Sequence, residues 1–476
     1  MKINSSMFRA YDLRGIVDRD LNPKIVEHLG RAHGTWLKHH KINQAIVGRD
    51  CRATSPEYSE AIIKGMIWAG LDVFDIGMTL VGTFYWAQYY LKIPGGVYVT
   101  ASHNPAEWNG FKFAVDYSET HVSEGMQELK KIVEKEDYDQ GKKIGKVEKK
   151  DILKDYILDL KTRIKIKQKF KVVVDASKAT AGAIVPPVLR AFGCEVIEKN
   201  CAIDANFPLG TPDPTEMIVA QRLKKEVLAN NADLGFSYDT DGDRMGIVDE
   251  QGNIIWNDVL VALFAIDVLH KNPGAKIMFN TLCSKIVSET IQKYGGEPFM
   301  WRTGHSFLKK KNQEVDAAFI GELSGHFFFS KEFYNHDDGI YSTLRLLQYL
   351  SRTNQKLSEA ISQLPQYISS PEIKLYCADD KKVKLIEKIS DQLRKNYKNK
   401  AEIIDDERAG DGVRLEMSDA MFVIRYSQNG PYITVKFEAQ EQKKYDELKN
   451  YLNKLLHQYP EINWQKHAVN VDSLIN

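Results

Sequence analysis

Short apolar runs bounded by glycine alternate with helix-length segments along most of the chain, and no other feature restricts the fold so strongly, because that alternation is the pattern of α/β units. Gln44–Gly48 (QAIVG) reads as a strand, and Thr54-Ser55-Pro56 then offers an N-cap and a first-turn proline for a helix reaching Ala69. Leu71–Ile76 and Gly95–Thr100 (GGVYVT) read as further strands. The charged stretch Glu134–Lys150, carrying Gly141 and Gly145, reads as a solvated connection with a helix after it. The alternation restarts with a strand at Lys171–Asp175 (KVVVD), a helix over Ile184–Phe192, and strands at Glu195–Glu198 and Asp233–Tyr238. It restarts again with a helix over Asn257–His270, a strand at Lys276–Asn280, a helix through Ile286 and a strand at Asp316–Ile320.

The tail is different. Strands at Ile373–Tyr376, Ala420–Ile424 and Ile433–Glu438 interleave with helices over Asp380–Tyr397 and Glu441–Leu456, which suits a small α+β domain. At 476 residues the chain exceeds what one hydrophobic core usually supports. The expectation is three successive α/β domains, over 1–150, 151–255 and 256–368, and a smaller C-terminal α+β domain over 369–476.

Charge excludes several classes of partner. The 65 basic and 64 acidic residues leave a net charge of +1, so no overall field favours nucleic acid or an anionic membrane, and any anion must be gripped locally. The most apolar helix, near Val259–Leu269, contains Asp267 and is too short to cross a bilayer. The scattered cysteines, Cys51, Cys194, Cys201, Cys283 and Cys377, lack the Cys-x-x-Cys spacing of zinc or redox sites and suit a reducing compartment. A cytoplasmic enzyme acting on a small molecule, as a monomer or a dimer, is the expectation.

Two motifs carry chemistry. Asp239-Thr-Asp241-Gly-Asp243-Arg244 follows an apolar strand, and three carboxylates at alternate positions around a glycine turn can converge oxygen ligands on one hard cation. A calcium EF-hand is excluded, because its sixth loop position demands glycine and here is Arg244, and because the flanks read as strands. Carboxylates so crowded repel one another unless something neutralises them, which favours Mg²⁺ over a merely solvated turn. The second motif is Thr100-Ala-Ser102-His103-Asn104-Pro105, where Ser102 lies just past a strand on a turn ended by proline. Lys112 lies ten residues further on and offers an amine that can assist proton movement or hold a phosphate.

These segments resemble the α-D-phosphohexomutase superfamily, specifically its phosphomannomutase/phosphoglucomutase group. The resemblance rests on TASHNP around Ser102, on DTDGDR, and on Gly321-Glu322-Leu323-Ser324-Gly325-His326. It extends to Phe8-Arg9-Ala10-Tyr11-Asp12-Leu13-Arg14-Gly15, Val47-Gly-Arg49-Asp50, Arg302-Thr-Gly-His305-Ser and Arg425-Tyr-Ser427-Gln-Asn429-Gly-Pro431, in family order along nearly the whole chain. The last loop, RYSQNGP, departs from relatives that carry threonine at the position of Asn429 and threonine or glutamate at that of Gly430.

The resemblance implies four domains around a central cleft, and phosphoryl transfer between C6 and C1 of glucose or mannose phosphates through a phosphorylated Ser102. Asp239, Asp241 and Asp243 would hold Mg²⁺ against that serine, with glucose 1,6-bisphosphate or mannose 1,6-bisphosphate as activator and intermediate. Lys112, Arg14 and His305 match positions near the reacting hydroxyl, and which of them is the general acid or base stays open. Tyr11 and Arg244 would line the phosphoryl site. Glu322, Ser324 and His326 would contact the sugar, and Arg425, Ser427 and Asn429 would clamp its distal phosphate with a guanidinium fork, a hydroxyl and an amide. The rival activities are a phosphoglucosamine mutase and a metal-dependent sugar phosphatase in which an aspartate carries the phosphoryl group.

Overall fold

The computed structural model describes residues 3–466 and 468–475. They build three α/β domains followed by a C-terminal domain on an antiparallel sheet, and the chain divides into two compact units. The first unit comprises the chain up to Pro214, Arg222–Asn253 and Tyr334–Asn354; the second comprises Thr215–Gln221, Ile254–Phe333 and the chain from Gln355 onward.

The first unit contains two sheets. In the first, Gln44–Arg49 lies parallel to both Gly95–Val99 and Asp72–Met78, and the long Trp108–Asp116 strand runs antiparallel between Gly95–Val99 and Leu13–Ile16. Every residue of Gly95–Val99 is buried, as expected for an apolar run with both faces covered. The connection expected over Glu134–Lys150 instead contributes a strand: Val147–Lys149 pairs in parallel with Asp72–Met78. All three of its residues are exposed, so it has no apolar face and no periodicity to betray it. The helix after Thr54 spans Ser55–Trp68, but Thr54 caps no backbone N–H with its side chain. Its hydroxyl accepts the Asn109 amide at 2.9 Å, tying the helix start to the Trp108–Asp116 strand instead.

The second sheet places Leu234–Tyr238 between Lys171–Asp175, which is parallel to it, and Met245–Asp249, which is antiparallel. The turn between Leu234–Tyr238 and Met245–Asp249 is the acidic motif, so two fully buried strands hold both of its ends.

The second unit carries the third sheet, ordered Glu297–Trp301, Lys276–Asn280, Phe319–Gly321 and Phe327–Phe328. Phe327 and Phe329 are core residues there, packed edge-on against Phe264. The C-terminal sheet centres on Ala420–Tyr426 and Tyr432–Ala439, with helices Asp379–Tyr397 and Gln442–Leu456 supplying leucines and isoleucines to its core. Among the described residues no helix is long and apolar enough to cross a membrane.

The core of the first domain encloses a pair of histidines. His33 and His121 are buried with ring centroids 5.4 Å apart, beside Trp36 and Phe113. Burial holds the His33 imidazole down at about 4 and that of His121 well below its usual value, the latter helped by the neighbouring imidazoles. The unfolded chain takes up these protons near pH 6.5 while the folded chain refuses them, so stability is full above 6.5 and drains away as pH falls toward 4. The His33 share is about 3 kcal/mol. Thermal unfolding followed from pH 7 to 4.5 should show this loss, and His33→Gln should flatten it; an unchanged pH slope would refute the assignment.

Candidate active site

The acidic motif makes a tight turn because Gly242 adopts φ +67°, a conformation in which a Cβ would also lie 2.7 Å from Leu80 Cδ1. Asp239, Asp241 and Asp243 are all buried, and each offers a carboxylate oxygen within 4.8 Å of those of the other two. Burial pushes the Asp239 carboxyl well above its ordinary range, and repulsion from Asp243 and Asp241 pushes it further. The Lys112 ammonium sits 2.9 Å from Asp241 Oδ2 and 2.6 Å from Asp243 Oδ2. Burial alone would lower the lysine's pKa, but the two carboxylates raise it well above the usual value, so this cation is firmly protonated where it stands. Buried Asp241 Oδ1 makes no hydrogen bond among the described residues. Three hard oxygen donors around such an atom fit Mg²⁺.

Ser102 faces this cluster. Its hydroxyl donates to Asp239 Oδ2 at 3.1 Å and lies 3.0 Å from His103 Nδ1, and the residue is buried. Ser102 has φ +49°, an uncommon backbone state for a side chain other than glycine. The loop is gripped from both sides. Arg52 reaches four of its backbone carbonyls, and Arg14 donates from Nη1 to Asn104 Oδ1 at 2.8 Å.

Arg14 is positioned by strand pairing, opposite Gly110 of Trp108–Asp116. A Cβ on Gly110 would stand 2.2 Å from the Leu13 carbonyl oxygen, so only glycine lets the two strands approach this closely. Arg14 Nη2 pairs with Asp12 Oδ2 at 2.7 Å; burial works against its charge, but Asp12 more than compensates and the guanidinium stays protonated. Tyr11 is buried two residues before this strand begins. Arg244 lies 3.8 Å from Asp239 Oδ2 and 3.9 Å from Asp213 Oδ2. The first unit thus gathers Ser102, Lys112, Arg14, Tyr11, Arg244 and the three aspartates.

The remaining residues singled out in the sequence belong to the second unit and form two groups. His305 opens the His305–Val315 helix and stacks on His326, with centroids 5.1 Å apart. Glu322, Ser324 and His326 share a turn closed by Glu322 N–H donating to the His326 carbonyl at 2.9 Å. Asn280 organises this turn: its side-chain oxygen accepts Leu323 N–H at 3.2 Å and its amide donates to Glu322 Oε2 at 3.3 Å. Glu322 is buried whereas Ser324 is half-exposed.

Arg425, next to last in its strand, makes a bidentate pair with buried Asp411, Nε donating to Oδ1 at 2.8 Å and Nη2 to Oδ2. Asp411 and burial oppose each other here, and Asp411 prevails in raising the arginine's pKa. Ser427 Oγ accepts the N–H groups of Asn429 and Gly430, and Lys382 Nζ donates to the Gly430 carbonyl at 2.8 Å. The loop is therefore preformed around a guanidinium already aimed by its own carboxylate.

Sequence reading missed Arg52, Asp12, Asn280, Asp411 and Lys382. Arg52 stands three residues after a charged strand end, and Asp411 lies between Gly410 and Gly412; those placements were the available signals.

Residues 5–140 match the family model described as phosphoglucomutase/phosphomannomutase, alpha/beta/alpha domain I, while 154–252 match domain II and 256–367 match domain III. The chain is 38% identical over 445 residues to the phosphomannomutase/phosphoglucomutase of Pseudomonas aeruginosa, covering 94% of each chain. It is 34% identical over 463 residues to the phosphoglucomutase of Neisseria gonorrhoeae, covering 97% of this chain and 99% of that one. Its fold is similar to the crystal structure of a phosphoglucomutase/phosphomannomutase family protein from Burkholderia thailandensis, with a TM-score of 0.87 and 33% identity over 97% of this chain and 99% of that one.

Proposed function

The chain belongs to the phosphoglucomutase/phosphomannomutase family, a group of phosphohexomutases, and from that membership together with the site geometry we propose reversible phosphoryl transfer between C6 and C1 of glucose and mannose phosphates, with Ser102 as the carrier. The observation that supports it most is the Ser102 hydroxyl, 3.1 Å from an aspartate of a buried three-carboxylate cluster.

In the proposed cycle the bond between Ser102 Oγ and phosphorus breaks as a free sugar hydroxyl forms its bond to that phosphorus and gives up its proton. The product, a hexose 1,6-bisphosphate, turns over, and its other phosphate returns to Ser102 by the reverse step. Added bisphosphate serves to load the serine. Asp239, Asp241 and Asp243 would hold Mg²⁺, which when bound supplies the positive charge that phosphoserine and three carboxylates need beside them. Arg244 and Arg14 add fixed positive charge, and Tyr11 lines the phosphoryl site. Arg14 and Lys112 both stand protonated, so accepting the hydroxyl's proton falls to His305, while the Lys112 ammonium can give one to the departing Ser102 oxygen. Arg425, Ser427 and Asn429 hold the phosphate that is not reacting, and Asp411 presents the guanidinium to it.

Glu322, Ser324 and His326 are assigned to the sugar. A reorienting bisphosphate must be read through groups that exchange places when the ring flips, such as the 3- and 4-hydroxyls, and none of these contacts needs C2. Glucose and mannose phosphates should therefore show kcat/KM values within about tenfold of each other, since discrimination requires a contact that one epimer loses. The test is a substrate panel of glucose, mannose and glucosamine phosphates with catalytic glucose 1,6-bisphosphate, together with mass spectrometry of the loaded enzyme. Phosphate on the Ser102 peptide supports the mutase. Phosphate on an aspartate of the 239–243 loop, with release of inorganic phosphate, would replace it with a phosphatase, and a strong preference for glucosamine phosphate would change the substrate.

A further inference from the structure

Arg52 is buried to 1% exposure, and its guanidinium is spent on backbone carbonyls and on Asp50 rather than on a side chain assigned to substrate or metal. Its side chain lies beneath the Ser102 loop. Nη2 donates to the carbonyls of Ser102 and Asn104, both at 2.6 Å, and Nη1 donates to those of Pro105 at 2.7 Å and Trp108 at 2.9 Å. Nε faces Asp50 Oδ2 at 3.2 Å, and one face of the guanidinium lies over the Phe207 ring, 5.1 Å from its centroid. Asp50 is itself held, accepting the Arg52 N–H at 3.0 Å and the Ser55 hydroxyl at 2.6 Å. A planar fork with its four terminal N–H groups shared among four carbonyls has none left for a phosphate.

Burying a guanidinium is expensive, and burial does pull the Arg52 pKa down against the opposing pull of Asp50. What the fold gains is local. Ser102 has φ +49°, a left-handed conformation that a side chain other than glycine keeps only where the surroundings over-determine it. The carbonyl of Ser102 is one of the four that Arg52 fixes, and the others fix the loop for six residues beyond it. Phe207 comes from the domain that carries the acidic loop, so the same guanidinium also indexes the serine loop to that neighbour.

We infer that Arg52 is a positioning residue for phosphoryl transfer: it holds the Ser102 loop in its strained conformation so that the serine oxygen meets the Asp239 cluster in register. The inference rests on reading Ser102 as the phosphoryl carrier. Lysine cannot replace the fork, because one ammonium has a single centre whereas the carbonyls are spread from residue 102 to 108. A displacement of about 1 Å at a reacting atom costs roughly 10²-fold in rate.

The experiment compares wild type, Arg52→Lys and Arg52→Gln by steady-state kinetics on glucose 1-phosphate, by the rate at which glucose 1,6-bisphosphate loads Ser102, and by hydrogen exchange at residues 101–109. Arg52→Lys should lower kcat roughly 10²-fold with KM within about twofold, slow the loading of Ser102 in step with kcat, and speed exchange in the loop while leaving the Gly95–Val99 strand protected. Arg52→Gln should do the same. Wild-type kcat in Arg52→Lys would overturn the inference, because charge without the fork would then suffice. A kcat loss matched by a rise in KM, or regained on cooling, would also overturn it by showing general destabilisation. If neither variant folds, exchange in the wild type decides: loop amides that exchange faster than the neighbouring strand contradict a pinned loop. Failure of the wild type itself to take phosphate on Ser102 would remove the premise, a result separate from any behaviour of Arg52.

Discussion

Ser102→Ala should leave a folded protein that has lost mutase turnover by roughly 10⁴-fold or more, the scale at which removal of a covalent carrier leaves only binding and electrostatics. The loss should appear in kcat rather than in KM, because the Glu322–His326 turn and the Arg425 loop are built without the serine. Stability should change little. The substitution removes the 3.1 Å hydrogen bond to Asp239 but no packing, and Asp239 is a carboxyl that burial already presses toward its neutral form. Ser102→Thr is the more searching variant. It keeps a hydroxyl, yet a β-branched side chain at φ +49° is a strong backbone outlier, so threonine should fail nearly as badly as alanine. Turnover in Ser102→Ala within tenfold of wild type, with glucose 1,6-bisphosphate present, would remove Ser102 as the carrier.

The parts of this molecule that could be read from sequence are those whose physics is local. Lys171–Asp175 and Lys276–Asn280 have the bounds that their apolar runs suggested, and the Asn257 and Glu441 helices lie within a residue of expectation at their ends. Val147–Lys149 could not be read, because a strand of three exposed residues takes its identity from the neighbour it pairs with and from nothing in its own composition. Thr54 misled for a related reason. It has the chemistry of a helix cap, but Asn109, fifty-five positions away, claims its hydroxyl.

The same division runs through the candidate site. The acidic triplet and Ser102 announce themselves by type and spacing, since they sit just past strand ends where loops present side chains, while Lys112 shows itself by type alone from mid-strand. Arg52 and Asn280 act through backbone carbonyls and amides brought near by folding, and an arginine in sequence gives no hint that its partners will be the carbonyls of a loop fifty residues on. Arg425 stood out in the sequence as a candidate anion grip, but the carboxylate that aims it did not. Asp411 precedes it by fourteen residues, and the antiparallel pairing of Gly412 with Arg425 is what brings the two together. A charged residue's type is thus visible before folding, whereas the partner that sets its orientation is a product of topology.

Removing divalent metal should abolish turnover, and the stability of three variants should report why. Were all three buried aspartates ionised, each pair, with oxygens within 4.8 Å, would repel by about 3–4 kcal/mol at an effective dielectric near 20, a strain that Lys112 offsets only in part and that presses Asp239 toward its neutral form. In chelator the wild type should therefore melt below its midpoint in Mg²⁺, with a stabilisation of about 2.7 kcal/mol once the metal reaches a hundredfold its Kd. Asp241→Asn removes one charge of the cluster. Its midpoint in chelator should equal or exceed that of wild type, while both the Mg²⁺ shift and turnover disappear. Lys112→Met should behave in the opposite sense, because withdrawing the one ammonium from a buried ion pair leaves carboxylates uncompensated at about 3–5 kcal/mol, lowering the midpoint in chelator and enlarging the gain from Mg²⁺. Calorimetry or fluorescence melts across a Mg²⁺ titration read all three. If Asp241→Asn keeps the wild-type Mg²⁺ shift, the cation binds elsewhere and the acidic loop has another purpose; if Lys112→Met melts with wild type in chelator, the ammonium contributes nothing to holding the cluster together.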